Sequence, residues 1–490
     1  MGDVVVVGAG LGGLSAACHL AGLGNQVTVV ESAADAGGAA GHLEVDGYHF
    51  DTGPTVLTMP AIIEATFAAV DADMADFLTL LPVDPMYRAC FADGSTIRVL
   101  RGRHAMADEI RRTCHARETV AFHRFCNWLT DLYELEMGSF IDRNYRSPLD
   151  LLRPARPAVR LLRMGGLRAL APKVASFFAD ERLRRLFSFQ ALYAGVSPQH
   201  ARALFSVITY MDTVGGVYFP AGGMHQVAAG LAAAAQKAGV EFRYSEPVER
   251  IVLTTREGGP VRGVLLRSGE HVHADAVVCN VDLPTAYRRL LPGLPAPGPL
   301  RRARYSPSAV VWHAGFARAP REDAAHHNIH FGAAWDDAFD ALLGRGSLMP
   351  DPSILVSAPT RTDASLAPAG HHVAYALEPV PNLKAGIDWH AERPAARERL
   401  ARRLGALGYG DDPRAEALFD PTDWRRLGMT EGTPFSLSHT FLQSGPFRPP
   451  NVDARAPGLA FCGAGTVPGV GVPMVLLSGK LAAERIGSAA

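Results

Sequence analysis

Four consecutive valines, Val4 to Val7, lie between Asp3 and Gly8. An unbroken run of β-branched residues predicts a strand buried on both faces, as in a parallel sheet. Leu14 to Leu23 predicts a helix, with Leu14, Cys18 and Leu20 or Ala21 inward and Gly24-Asn25 closing it. Val27 to Val30 is a second strand and ends on Glu31. The same rhythm returns later. Gly222-Gly223-Met224 opens a helix from His225 to Ala238 that Gly239 closes. Strands follow at Val240–Tyr244, Val248–Leu253, Val261–Leu266 and Val272–Val278, with Gly258-Gly259 and Ser268-Gly269 as turns. Near the end, Gly458 to Thr466 reads as a strand entering a glycine loop. Met474 to Ile486 reads as a helix whose first residue is Pro473.

One apolar stretch invites a different reading. Ala456 to Gly479 carries no charge and is long enough to span a bilayer. Its three prolines and six glycines would leave backbone groups unpaired in lipid, so it reads as strand, loop and helix start. The remaining segments differ in pattern: 86–219 is mostly helical, and 291–424 is mixed and rich in proline.

Hydrophobic residues make up 48% of the 490 and charged residues 20%, which supplies a large core and excludes a disordered chain. The net charge of -1 excludes a surface that grips nucleic acid as a whole. The six cysteines are scattered, with neither C-x-x-C nor a histidine at zinc-finger spacing. No disulfide scaffold and no metal site are expected, and a reducing cytoplasm fits. No basic leader precedes the valine run, so a secretory leader is not expected. The neutral charge is an average. Segment 143–173 holds eight basic residues against one acid, Asp150, for a net charge of +7. Leu149, Leu151, Leu152, Val159, Leu161 and Leu162 are interleaved with them. Such a surface suits an anionic bilayer, and it also suits an ordinary solvated helix face.

Between the first strand and helix stands Gly8-Ala9-Gly10-Leu11-Gly12-Gly13, a G-x-G-x-x-G. Gly8 permits a tight turn, Gly10 lets the backbone approach a pyrophosphate, and Gly13 lets helix and strand pack closely. The helix N-terminus turns free N–H groups and a partial positive charge toward phosphates, and Leu11 of the loop joins the binding set. Glu31, 21 residues beyond Gly10, is placed to accept from ribose hydroxyls. The small residues Ala36-Gly37-Gly38-Ala39-Ala40-Gly41 follow, then Phe50-Asp51-Thr52-Gly53-Pro54-Thr55. Gly38 therefore joins the binding set, as do Gly463 and Gly465 of the terminal loop and Val472 and Pro473 at the last helix start.

This pattern resembles the flavin amine-oxidase and carotenoid-desaturase superfamily, although Ala39 stands where that family commonly has arginine. Five further blocks are similar to bacterial-type phytoene desaturases: Phe187 to Gln190, Gly216 to Met224, Phe435 to Leu437, Gln443 to Pro449, and Gly463 to Pro473. Val467 replaces a histidine found in many members. The resemblance implies FAD and an α/β fold: a Rossmann-type FAD-binding domain, GR2-like, interleaved with an α+β substrate domain that includes a helical membrane-facing part. The cofactor domain is expected at 1–85, 220–290 and 425–490, the helical substrate and membrane region at 86–219, and the substrate domain at 291–424. In related flavoproteins the residue matching Val248 holds the adenine through its backbone.

The implied reaction removes two hydrogens from a C–C bond beside a conjugated polyene, one as hydride to flavin N5 and one as a proton, from phytoene toward lycopene. Quinone or oxygen would take the electrons. The implied location is the cytoplasm, on the inner face of the membrane. The apolar substrate needs a tunnel, for which Phe187, Phe189, Leu192, Tyr193, Phe205 and Tyr210 are plausible lining. No acid or base stands out; His225 and Asp51 are the residues nearest the motifs. Other carotenoid desaturases or isomerases, an amine oxidase, and a non-catalytic FAD-containing carotenoid-binding protein remain open at this stage.

Overall fold

The computed structural model describes residues 2–145, 147–151 and 155–487. Arg146, Leu152 and Arg153 of the basic segment lie outside them.

A five-stranded parallel sheet forms the first layer. Its strands are β1 (Asp3–Val7), β2 (Gln26–Val30), β3 (Glu241–Arg243), β4 (Ala276–Cys279) and β5 (Leu459–Phe461), in the spatial order β5-β4-β1-β2-β3. Val5 pairs with Thr28 on one side and Val277 on the other. Both faces are covered, which is why these strands read as unbroken apolar runs. The sheet draws on three stretches far apart in the chain.

Helices α1 (Leu11–Gly22), α2 (His225–Lys237) and α3 (Val472–Gly487) belong to this layer, and α1 packs against both others. Small residues set the α1–α3 distance. A Cβ on Gly479 would lie 2.3 Å from the Gly12 carbonyl oxygen, and Ser15 Oγ donates to the Leu476 carbonyl at 2.7 Å.

The run Val272–Val278 is divided between two sheets. His271–His273 closes a small antiparallel sheet with Val248–Thr255 and Gly258–Leu266. The Asp275 N–H then donates to the Asp3 carbonyl (2.8 Å), and Ala276–Cys279 enters the parallel sheet beside β1. A chain that pairs antiparallel must leave that partner to take a parallel slot.

The second layer is a seven-stranded sheet, mostly antiparallel. It begins with Ala415–Phe419 and Ser308–Phe316 and ends with Tyr87–Cys90 and Thr96–Val99. Segment 86–219 thus contributes two strands before its helices. In Ser308–Phe316 the faces alternate. Val310 and Trp312 pack under helix Trp389–Ala406, and Ala309 and Val311 face the opposite way. That second face roofs the site described next.

Candidate functional site

The glycine loop is held by contacts that leave no room for side chains. A Cβ on Gly13 would lie 2.0 Å from the Gly8 carbonyl oxygen, so helix and strand touch there. Gly10 is the N-cap of α1, and its missing Cβ would meet Asn280 Nδ2 at 2.8 Å. The second glycine stretch runs alongside: the Gly37 N–H donates to the Ala9 carbonyl (2.9 Å), and a Cβ on Gly38 would sit 3.2 Å from Gly10 Cα. Glu31, at the end of β2, accepts from the Ala9 N–H (2.6 Å) and the Ala33 N–H (2.8 Å). Its oxygens retain lone pairs toward the cavity that it lines.

That cavity measures ≈ 1270 Å³. This exceeds the range of about 300–1,000 Å³ that suits one drug-sized ligand. Gly8, Gly10, Leu11, Glu31 and Gly38 line one end, and Gly463, Gly465, Val472 and Pro473 also line it. Val472 is the first residue of α3 and Pro473 the second. The walls beyond are apolar, from Phe189, Leu192 and Phe205 to Leu161, Phe441 and Phe447. Arg448 pins the terminal glycine loop from behind. It is 1% exposed, and its guanidinium donates to the carbonyls of Thr466 (3.0 Å), Leu437, Gln443 and Ala464. Burial pushes its pKa down.

Several expected positions fall elsewhere. Val248 does not line the cavity. It pairs with Leu266 in the small antiparallel sheet and packs on the cluster around Ile251 and Val264. Two and five residues earlier, the Glu246 N–H donates to the Glu31 carbonyl and the Arg243 carbonyl accepts from the Glu31 N–H, which sets this segment beside the end of β2. Gly13 lies behind the loop and acts through packing. Phe189, Leu192, Tyr193 and Phe205 line the cavity. Phe187 instead packs on Phe122, Phe125 and Phe178, and Tyr210 stacks on Tyr133 at 4.2 Å. Asp51 accepts from the His225 N–H (3.2 Å) and so caps the α2 start; burial pushes its pKa up to about 6. His225 Nε2 bonds the Ala36 carbonyl (2.8 Å). Asp35, His42 and His225 each bring one donor atom within 4.8 Å of the others, with the His225 nitrogen already engaged.

Four residues absent from the sequence reading of the site shape it. Asn280 follows β4 and fills the space between the two glycine loops. Its position, the carboxyl end of a parallel strand, is the available signal. Arg448 sits inside the Gln443–Pro449 block. Glu136 and Asp212 are buried acids that line the cavity. Burial pushes Glu136 well above the carboxylate range, and its Oε1 has no partner among the described residues. Their chemistry depends on burial, which a linear pattern does not carry.

Two glycine loops, a helix N-terminus and an acid after the second strand define a flavoprotein with a dinucleotide cradle and an apolar substrate chamber. A cradle that a single Cβ would fill fits an extended dinucleotide. Comparison with known proteins agrees. The model of the flavin containing amine oxidoreductase family matches residues 11–487. Phytoene dehydrogenase of Streptomyces griseus is 49% identical over 99% of this chain and 94% of its own length. The zeta-carotene-forming phytoene desaturase of Myxococcus xanthus is 40% identical over 99% and 93%. The lycopene-forming phytoene desaturase of Pantoea ananas is 32% identical over 99% and 98%. Among solved structures, an oxidoreductase from Methanosarcina mazei shares the fold with a TM-score of 0.64 at 17% identity, over 97% of this chain and 98% of that one. A putrescine oxidase mutant shares it at 0.62 and 17%, over 100% and 99%. The chain belongs to the flavin containing amine oxidoreductase family, and within it to the phytoene desaturase-type carotenoid desaturases. It is an oxidoreductase acting on CH–CH bonds, with FAD as its cofactor.

Proposed function

We propose that this enzyme desaturates a C40 carotenoid, carrying phytoene toward lycopene. The observation that carries the reading is the continuity of one cavity, from the glycine cradle to an apolar chamber. A polyene without polar handles must be oriented by such walls. Gly8, Gly10, Leu11, Glu31 and Gly38 would hold the nucleotide part of FAD. Gly463, Gly465, Val472 and Pro473 would border the flavin. When bound, FAD supplies the acceptor for the hydride; the chain supplies binding, orientation and exclusion of water. Quinone or oxygen serves as the final acceptor. Expression in a host that makes phytoene is expected to yield coloured, more conjugated polyenes, identified by chromatography. A host that keeps only phytoene while the protein holds FAD points to the carotenoid-binding reading instead.

The same reading places the protein on the inner face of the membrane. Among the described residues no helix is long and apolar enough to cross one. Leu149 is 70% exposed, Leu162 57% and Leu442 70%. Leu149 lies in the turn Pro148–Leu151, which touches Gly445–Phe447, and that segment touches Phe441–Gln443, which carries Leu442. Leu151, Leu161, Leu162, Phe441 and Phe447 also line the cavity, which brings its wall to this surface. Arg156, Arg163 and Arg168 of the same basic segment are exposed. Anionic liposomes are expected to sediment the protein, and reversing these three arginines to glutamate to weaken that at least about tenfold, at ~1 kcal/mol per charge. Equal sedimentation of both proteins removes the membrane reading.

A further inference from the structure

The apolar chamber contains two buried acids that the cofactor cradle does not use, Glu136 and Asp212. Asp212 lies in the π-helical turn Met211–Gly215, is 2% exposed and lines the cavity. Its Oδ2 accepts from Gln190 Nε2 at 3.2 Å and its Oδ1 from Thr213 Oγ1 at 3.0 Å. The Tyr87 and Tyr193 hydroxyls are within its electrostatic reach, and both tyrosines line the cavity. The Tyr87 hydroxyl has no hydrogen bond of ordinary geometry among the described residues. The Tyr87 ring lies 5.5 Å from the His327 ring, and His327 Nε2 bonds the Thr55 carbonyl at 2.9 Å. Two residues earlier, Gly53 presses on Ala39: a Cβ there would sit 1.7 Å from the Ala39 carbonyl oxygen. Asp212, Tyr87 and the Thr52–Thr55 stretch beside the cofactor cradle thus line the same cavity.

We propose that Asp212 accepts the hydrogen that leaves the polyene as a proton. The proposal rests on the desaturase reading above. One hydrogen of the allylic C–H departs with its electron pair as hydride to the oxidised cofactor, and a delocalised cation remains. The Asp212 carboxylate forms an O–H bond to a hydrogen on the adjacent carbon. The electrons of that C–H bond become the second bond of the new C=C. The substrate loses two electrons in all, and the proton resides on Asp212 until it passes to solvent. Such a cation is a strong acid, so a carboxylate is basic enough.

The other cavity acids and bases are less suited. Glu136 Oε1 has no hydrogen-bond partner among the described residues, and burial pushes this acid well above the carboxylate range, which favours its protonated form. Asp282 is turned to the Thr430 N–H and hydroxyl. Burial and the nearby Arg448 charge hold His439 well below the usual histidine range. Asp212 combines burial, which pushes its pKa up to about 7, with two donors that stabilise the carboxylate. The facing tyrosines stay protonated, because burial pushes both up.

Asp212→Asn tests the assignment in the FAD-loaded enzyme with phytoene and an added quinone. It is expected to keep the flavin spectrum and KM within about threefold, and to lose about 100-fold or more in kcat. The wild type is expected to gain kcat as pH rises through about 7, where the carboxylate forms, and the residual activity of Asp212→Asn to lack that limb. Infrared spectroscopy without substrate is expected to show a carboxyl band that titrates in the same range and is missing from the variant. Asp212→Glu is expected to restore part of the rate. If Asp212→Asn fails to fold, Gln190→Leu serves: loss of that donor moves the limb upward by about one pH unit, one hydrogen bond's worth. An active wild type matched in kcat by Asp212→Asn, or an unmoved limb in Gln190→Leu, overturns the proposal alone. A wild type inert toward phytoene and its partly desaturated products overturns the desaturase reading, and the proposal with it.

Discussion

Gly10→Val is expected to give a folded protein that carries no yellow flavin. Gly10 has φ -72°, which valine adopts readily, so the backbone does not oppose the change. The obstacle is space. The new Cβ meets Asn280 Nδ2 at 2.8 Å, and its methyls enter the cleft between the two glycine loops. Asn280 is itself wedged between loops: a Cβ on Gly12 would lie 2.7 Å from its Oδ1, and one on Gly463 3.0 Å. It has nowhere to retreat. Cofactor affinity is expected to fall by at least about 1000-fold, because the pyrophosphate loses both its close backbone approach and the helix N-terminus. The checks are the visible spectrum of the purified protein and titration of the apoprotein with FAD. Full retention of flavin would remove the cradle assignment.

Arg448→Met is expected to have the second largest effect, on stability and on flavin retention together. The buried guanidinium satisfies carbonyls of Leu437, Gln443, Ala464 and Thr466. Methionine fills much of the volume and supplies no donor. Each buried carbonyl left unpaired costs about 1–3 kcal/mol, so a total of several kcal/mol is expected. The loss falls on the Gly463–Thr466 loop, one wall of the cofactor site. Flavin release, followed by its fluorescence on heating, is expected at least about 5 °C lower than in the wild type. An unchanged release temperature would show that the loop holds its shape without Arg448.

These two residues differ in how visible they are along the chain. The Gly10 requirement is local, a backbone approach at fixed spacing from a strand and a helix, so the motif spacing exposes it. Glu31 is legible for the same reason. Arg448 looks like any surface arginine until the fold buries it. Asp212 and its donor Gln190 stand 22 positions apart, and only the helical packing of 186–215 brings them together. Phe187 and Tyr210 show the converse: their aromatic character suggested the chamber wall, but each side chain points into a neighbouring aromatic cluster. Val248 is assigned by resemblance alone, through its backbone, and its side chain packs on the small antiparallel sheet rather than lining the cavity. The apolar run 272–278 concealed a change of sheet, for which His273-Ala274-Asp275 was the only cue. The cofactor layer was therefore the more legible half. Its strands announce themselves by local composition, whereas the chamber is made by long-range contact.

The most direct test takes purified, FAD-loaded protein with phytoene in anionic liposomes and an added quinone, and follows visible absorption with chromatography of the extracted pigment. Stepwise appearance of longer conjugated chromophores, on the path from phytoene toward lycopene, is the expected result. Flavin that stays bound while phytoene remains colourless and unconsumed would contradict the assignment of this cavity as a desaturation site.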